Sequence, residues 1–137
     1  IYLQGRYEVQ LYDSWGKKTV KYSDCGGIYE RWDDNRGEGK EGYEGYAPRQ
    51  NASKAPGLWQ TLEIDFQAPR FDANGKKITN AIFKKVILNG LVVQENIEVS
   101  GMTRGAIFDK EDPFGPILIQ GDHGPVEFRN IIITPAK

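Results

Sequence analysis

Apolar and polar residues alternate with a period of two over much of the chain, the repeat of a half-buried β-strand. In Arg6-Tyr7-Glu8-Val9-Gln10-Leu11-Tyr12, residues Tyr7, Val9 and Leu11 share one face and Arg6, Glu8, Gln10 and Tyr12 the other. Leu62, Ile64 and Phe66 alternate with Thr61, Glu63 and Asp65, and Ala68-Pro69 ends that strand. Two longer runs, 81–88 and 91–99, flank Asn89-Gly90, a pair suited to the positive φ angles of a two-residue hairpin turn. Residues 25–29, 116–120 and 126–133 read as further strands, with turns at Asp72-Ala73-Asn74-Gly75 and over 109–115. No window of a dozen residues keeps helical spacing without Gly or Pro intruding, so at most one short helical turn is expected. Roughly seven short strands joined by turns indicate an all-β, antiparallel sandwich or barrel.

Two places interrupt the pattern. Residues 30–57 open on Glu30-Arg31-Trp32-Asp33-Asp34-Asn35-Arg36 and continue through Gly- and charge-rich sequence to Pro56-Gly57. A loop of that length is usually functional or disordered, and Trp32, Tyr43 and Tyr46 argue against disorder. The other place is the start. Ile1-Tyr2-Leu3-Gln4 already reads as strand, so a processed, trimmed or incomplete N-terminus is expected. The chain 1–137 thus reads as one sandwich domain, partial at its N-terminus, with 30–57 a long irregular loop within it.

Composition removes several functions. With 39% hydrophobic and 27% charged residues, the 137-residue chain has an ordinary globular make-up. A net charge of −1 excludes a globally basic nucleic-acid binder, and no apolar run approaches the roughly 18–20 residues of a membrane helix. One Cys excludes an internal disulfide and a multi-Cys zinc cage, and one His excludes any metal site needing two.

What chemistry remains centres on few residues. His123, the single histidine, stands in Gly121-Asp122-His123-Gly124-Pro125 between two expected strands. With Asp122 beside it, it could act as a general acid or base near neutral pH, or supply one ligand to a divalent metal completed by carboxylates. A turn histidine bonded to backbone is the structural alternative. Glu8 and Gln10, flanked by Arg6 and Tyr12, lie roughly 7 Å apart on one strand face, a spacing that suits sugar hydroxyls or a solvated ion-paired face. Trp15, Tyr29, Trp32, Tyr43 and Tyr46 could stack on sugar rings or simply pack, whereas Trp59 reads as an anchor at the core edge. Cys25, beside Gly26-Gly27, reads as a small buried residue. Residues 37–45 lack the ending of a phosphate loop, and Asp33-Asp34-Asn35 lacks EF-hand spacing.

Six ordered segments taken together resemble one family. They are residues 2–10, 25–29, 51–61, 66–72 and 88–94, and Gln120-Gly121-Asp122-His123-Gly124-Pro125 with the residues that follow to Ile131. The chain resembles the 3-keto-disaccharide hydrolase family from Tyr2 to Ile133. That resemblance implies a concanavalin A-like jelly-roll β-sandwich, exported by bacteria to the periplasm, cell surface or medium, and acting on glycans or glycosides oxidised at C3. It implies acid/base or metal-ligand roles for His123 and Glu8, with Asp122 orienting. Hydroxyl or ketone contacts would fall to Gln10, Arg6, Tyr29 and Arg129, with Trp32 as a further sugar contact; Arg129 could instead anchor the Asp122 loop. Family members usually carry strands ahead of the position of Ile1, so another chain could supply them here, and segment 30–47 is longer and more charged than the family pattern. Two alternatives stand beside the hydrolase or lyase: a non-catalytic carbohydrate-binding module, and a structural subunit using the sandwich for protein contacts.

Overall fold

The longest strands flank the Asn89-Gly90 turn. The computed structural model describes residues 1–135. Its strands are β1 (Tyr2–Leu3), β2 (Tyr7–Glu8), β3 (Arg31–Trp32), β4 (Gly42–Tyr43), β5 (Leu62–Gln67), β6 (Arg70–Phe71), β7 (Lys77–Thr79), β8 (Ala81–Leu88) and β9 (Leu91–Val99). One 3₁₀ turn, Asp34–Arg36, is the sole helix among the described residues. All pairings are antiparallel: β1 with β2, β3 with β4, β6 with β7, and a three-stranded sheet in the order β5-β8-β9. Single bridges from Val9 to Ile28 and from Ile28 to Tyr46 extend the pairing beyond β2. The protein is all-β, and this architecture agrees with the expected sandwich.

The β8–β9 hairpin turns as its sequence requires. Asn89 and Gly90 take φ of 53° and 81°, the left-handed pair that matches strand twist. Asn89 then reaches sideways. Its Oδ1 accepts from the Thr61 amide at 2.9 Å, and its Nδ2 donates to the Ala52 carbonyl at 2.8 Å and to Gln60 Oε1 at 2.9 Å. Behind the hairpin lies the core, in which Tyr7, Val9, Ile28, Phe83, Val86, Leu88, Val93 and Val99 are buried. Phe66 joins Tyr7 and Phe83 at centroid distances of 5.4 and 5.1 Å. Leu62 and Ile64 pack on the same cluster while Glu63 and Asp65 face outward, as the period of two requires. Gly27 has no alternative: a Cβ there would run into the Tyr22 carbonyl oxygen.

A second device shapes the chain between residues 12 and 25. The buried Asp24 carboxylate is ion-paired with Lys17 and accepts from the Ser14 hydroxyl at 3.1 Å and the Lys21 amide at 2.8 Å. Burial opposes its charge, but these donors outweigh burial and hold the carboxyl below its ordinary value.

Several expectations change. Residues 116–120 and 25–29 make single-residue bridges, through Leu118 and Ile28, rather than strands, and only Tyr7–Glu8 of the stretch 6–12 is strand. Residues 126–133 pair with nothing among the described residues and stay exposed, with Ile132 at 85%. Their apolar composition favours a strand, but a strand also needs a neighbour's backbone, and no sheet edge meets them. Conversely, 30–57 is not irregular throughout. The β3–β4 pair forms there, and Asp33 caps the 3₁₀ turn by accepting from the Asn35 amide at 2.9 Å.

Asn89→Ala should lower stability by about 2 kcal/mol in urea titration, since it removes three hydrogen bonds and leaves polar partners behind. Asp24→Asn should cost a similar amount, about 2 kcal/mol at pH 7. Because the folded carboxyl titrates below its unfolded value, its stabilisation holds above the ordinary carboxylate range and fades as pH falls through the depressed value. The acid limb of the wild-type Tm-against-pH curve should therefore flatten in the variant.

Candidate functional site

A cleft of about 950 Å³ opens beside the core, within the size range of small-molecule sites. Three stretches line it: residues 10–14, residues 56–60 with Lys54, and residues 123–127 with Gln120 and Gly121; Cys25, Leu62 and Leu88 meet it from the core side. The Asn89 hydrogen bonds place the second stretch, because they hold Ala52, Gln60 and Thr61 to the hairpin tip.

His123 stands in this cleft, not in a backbone-bonded turn. Its Nδ1 lies 2.8 Å from Asp122 Oδ1, and its ring meets Tyr12 edge-on at 5.7 Å. Gln120 Nε2 donates to the other Asp122 oxygen at 3.1 Å. The Gln120 amide, with the imidazole, holds the exposed Asp122 carboxyl below its ordinary value. In the tautomer with its proton on Nδ1, the imidazole donates a hydrogen bond to Asp122 Oδ1 and keeps a lone pair on Nε2. That is the arrangement of a base.

Glu8 lies deeper. It is 2% exposed, pairs in register with Tyr2, and donates its amide to Thr103 Oγ1 at 3.1 Å. Burial pushes its carboxyl up; the Tyr2 hydroxyl and nearby positive charge, including His123, pull it partly back. Glu8 does not line the cleft. Gln10, next on the same strand face, does line it. Its Oε1 accepts from the Leu11 amide at 3.2 Å, so the Nε2 protons are free for a ligand oxygen.

The other sequence candidates are placed elsewhere. Arg6 is 4% exposed and spends its guanidinium on the carbonyls of Lys110 at 2.7 Å, Gln4 at 2.8 Å and Phe114 at 3.0 Å. It clamps residues 108–114 and has no ion pair with Glu8. Tyr29 packs edge-on against Tyr22 at 5.3 Å, outside the cleft lining. Trp32 donates to Asp34 Oδ1 at 2.8 Å and is capped by Arg104, 3.8 Å from its ring. Arg129 is exposed rather than a buried anchor, and its guanidinium lies 3.7 Å over the Trp59 ring. Cys25 is buried, and burial pushes its thiol up, away from thiolate chemistry.

Sequence reasoning missed Trp59, which is 45% exposed and lines the cleft rather than sealing the core. The signal was present, because Trp59 shares parity with Thr61 and Glu63, the outward positions of that strand. Among the described residues no three His, Cys, Asp or Glu side chains converge. The donor set among these residues therefore does not fit a protein-caged metal. Among the described residues, too, no helix is long and apolar enough to cross a membrane.

A family model for the 3-keto-alpha-glucoside-1,2-lyase-like domain matches residues 1–134, nearly the whole chain. The chain belongs to this family. Membership supports a carbohydrate-active role and interaction with glycans, in keeping with the resemblance carried by the six segments. Neither a curated protein nor a solved structure matches it.

Glu8→Gln offers a test of the buried carboxyl in this lyase-like domain. A folded value above the unfolded one stabilises the fold at low pH, and that stabilisation is lost as pH rises through the raised value. The neutral amide escapes this loss. Glu8→Gln should therefore melt higher than wild type at neutral pH, with the gap closing towards roughly pH 4, where both side chains are uncharged.

Proposed function

We propose that the protein cleaves glycosides that carry a ketone at C3, with His123 as the base. The observation that supports this most directly is His123 on the cleft wall, its Nδ1 bonded to Asp122 and its Nε2 without a partner among the described residues. A C3 ketone acidifies the C2–H bond. Nε2 takes that proton, and the C–H electrons pass into the ketone as an enolate. The enolate then re-forms the carbonyl as a C1=C2 double bond forms and the C1–O bond breaks. The aglycone leaves as an alkoxide and recovers the proton from the His123 imidazolium. The products are the free aglycone and an unsaturated ketose, and addition of water across the new double bond completes hydrolysis.

This route needs one base and a hydrogen-bond donor at the ketone, not two opposed carboxylates. Gln10 Nε2 is the cleft-lining donor suited to the enolate oxygen. Asp122 keeps the imidazole in the required tautomer. Glu8, buried beside Tyr2, lies behind the cleft lining and takes no direct part in this route. The reading carries with it an exported, bacterial setting, whose support is the family resemblance alone.

A second reading, glycan binding without turnover, is favoured by one observation: residues 121–135 are exposed throughout, so the base rides on a weakly held segment. One experiment separates the two. With a 3-keto glucoside, His123→Ala should lower kcat by about 10²–10⁴-fold, the usual contribution of a positioned base. Asp122→Asn should lower it less, and C2 deuteration should slow the wild-type chain. Full activity in His123→Ala would remove that residue from the chemistry, and a wild type that binds but never turns over would leave the binding reading.

A further inference from the structure

We propose that Trp59 is a stacking platform for the ring on the leaving-group side of the glycoside, and that Arg129 covers this platform until the ligand displaces it. The inference rests on the glycoside reading above and adds a second subsite to it. Three observations carry it.

First, Trp59 and His123 line one cleft from separate stretches of the chain. Tyr12 packs against His123, so on the glycoside reading a ring presenting C2 to Nε2 would sit beside Tyr12 and leave Trp59 to the ring beyond C1. An indole face there meets the apolar face of a sugar or aryl ring. Lys54 lines the same cleft, donating Nζ to the Trp59 carbonyl at 3.3 Å.

Second, the two partners of the Trp59–Arg129 stack are held very differently. Trp59 lies between residues tied to the hairpin tip, because Gln60 Oε1 accepts from both Asn89 Nδ2 and the Lys54 amide, each at 2.9 Å. Arg129 belongs to the stretch that enters no ladder. A fixed surface therefore carries a loosely tethered cover.

Third, the cover is chemically exchangeable. At 3.7 Å the guanidinium occupies the very face a ligand ring would use. Among the described residues Arg129 has no carboxylate partner to hold it there. An exposed cation–π contact is weak enough to be displaced.

Isothermal titration with phenyl α-glucoside, maltose and methyl α-glucoside tests this without requiring turnover. The first two present an aryl or a sugar ring to the platform, and the third presents none. Arg129→Ala should bind phenyl α-glucoside or maltose about two- to five-fold more tightly, the fold-change an exposed cation–π contact corresponds to. Trp59→Ala should bind them about tenfold more weakly, with Trp59→Phe intermediate, and methyl α-glucoside should be indifferent to either change. Whichever of the two ring-bearing probes shows these effects names the ring the platform takes. Unchanged or weaker binding by Arg129→Ala, no loss in a Trp59→Ala variant that melts like wild type, equal effects on methyl α-glucoside, or no binding by wild type overturns the proposal. A wild type that cleaves the 3-keto glucoside but shows none of these effects sinks the platform and leaves His123 as base. The reverse pattern does the opposite.

Discussion

The Asn89 carboxamide must do two things at once, and much of the molecule follows from that. It accepts a left-handed backbone at the hairpin turn and spends its oxygen and nitrogen on Thr61, Ala52 and Gln60. Away from the β5-β8-β9 sheet, each strand is two or three residues long and pairs with one neighbour. Such pairs are marginal in isolation, and side chains of the larger hairpin reach across to the loops between them. Gln94 on β9 repeats the device in the core, donating to the Gly26 and Tyr46 carbonyls at 3.1 Å each. The Arg49 amide bonds the Val93 carbonyl at 2.9 Å. One hairpin thus sets the positions of residues 26, 46–53 and 60–61, and with them a wall of the cleft.

The strand that follows Gly5 shows how burial sorts polar residues by what satisfies them. Arg6, Glu8 and Gln10 share a face and are all buried, so each needs partners to offset lost water. Arg6 finds three carbonyls, which makes it structural and removes it from ligand binding. Gln10 satisfies only its oxygen, and its amide protons stay available at the cleft. Glu8 finds the Tyr2 hydroxyl and an environment that disfavours its charge. The same alternation in sequence therefore yields a clamp, a donor and a carboxyl whose burial raises its pKa.

Local signals were legible to different depths. The Asn89-Gly90 hairpin, the outward Glu63 and Asp65, and the Asp72 turn, whose carboxylate accepts from the Asn74 and Lys76 amides at 2.9 Å each, depend on neighbours in sequence. The family resemblance was legible because its segments are spread along the chain in order. Contacts between distant residues were not. Nothing near Trp32 in sequence announces Arg104, and nothing near Trp59 announces Arg129. Residues 126–133 fail for the complementary reason: Ile131, Ile132 and Ile133 carry strand propensity, but pairing belongs to two segments, and propensity describes one.

The site joins a well-held wall to a poorly held one, and this asymmetry governs how binding and chemistry share free energy. Gln10 and Trp59 belong to stretches anchored by buried or tip hydrogen bonds, so a ligand meets them with little ordering cost. His123 touches Asp122 and Tyr12, on a stretch exposed from Gly121 onward. On the proposed route, bringing Nε2 into line with C2 would therefore consume part of the binding energy gained at the anchored walls. A ligand that grips only the reacting ring has less to offset that ordering than one whose second ring also reaches Trp59.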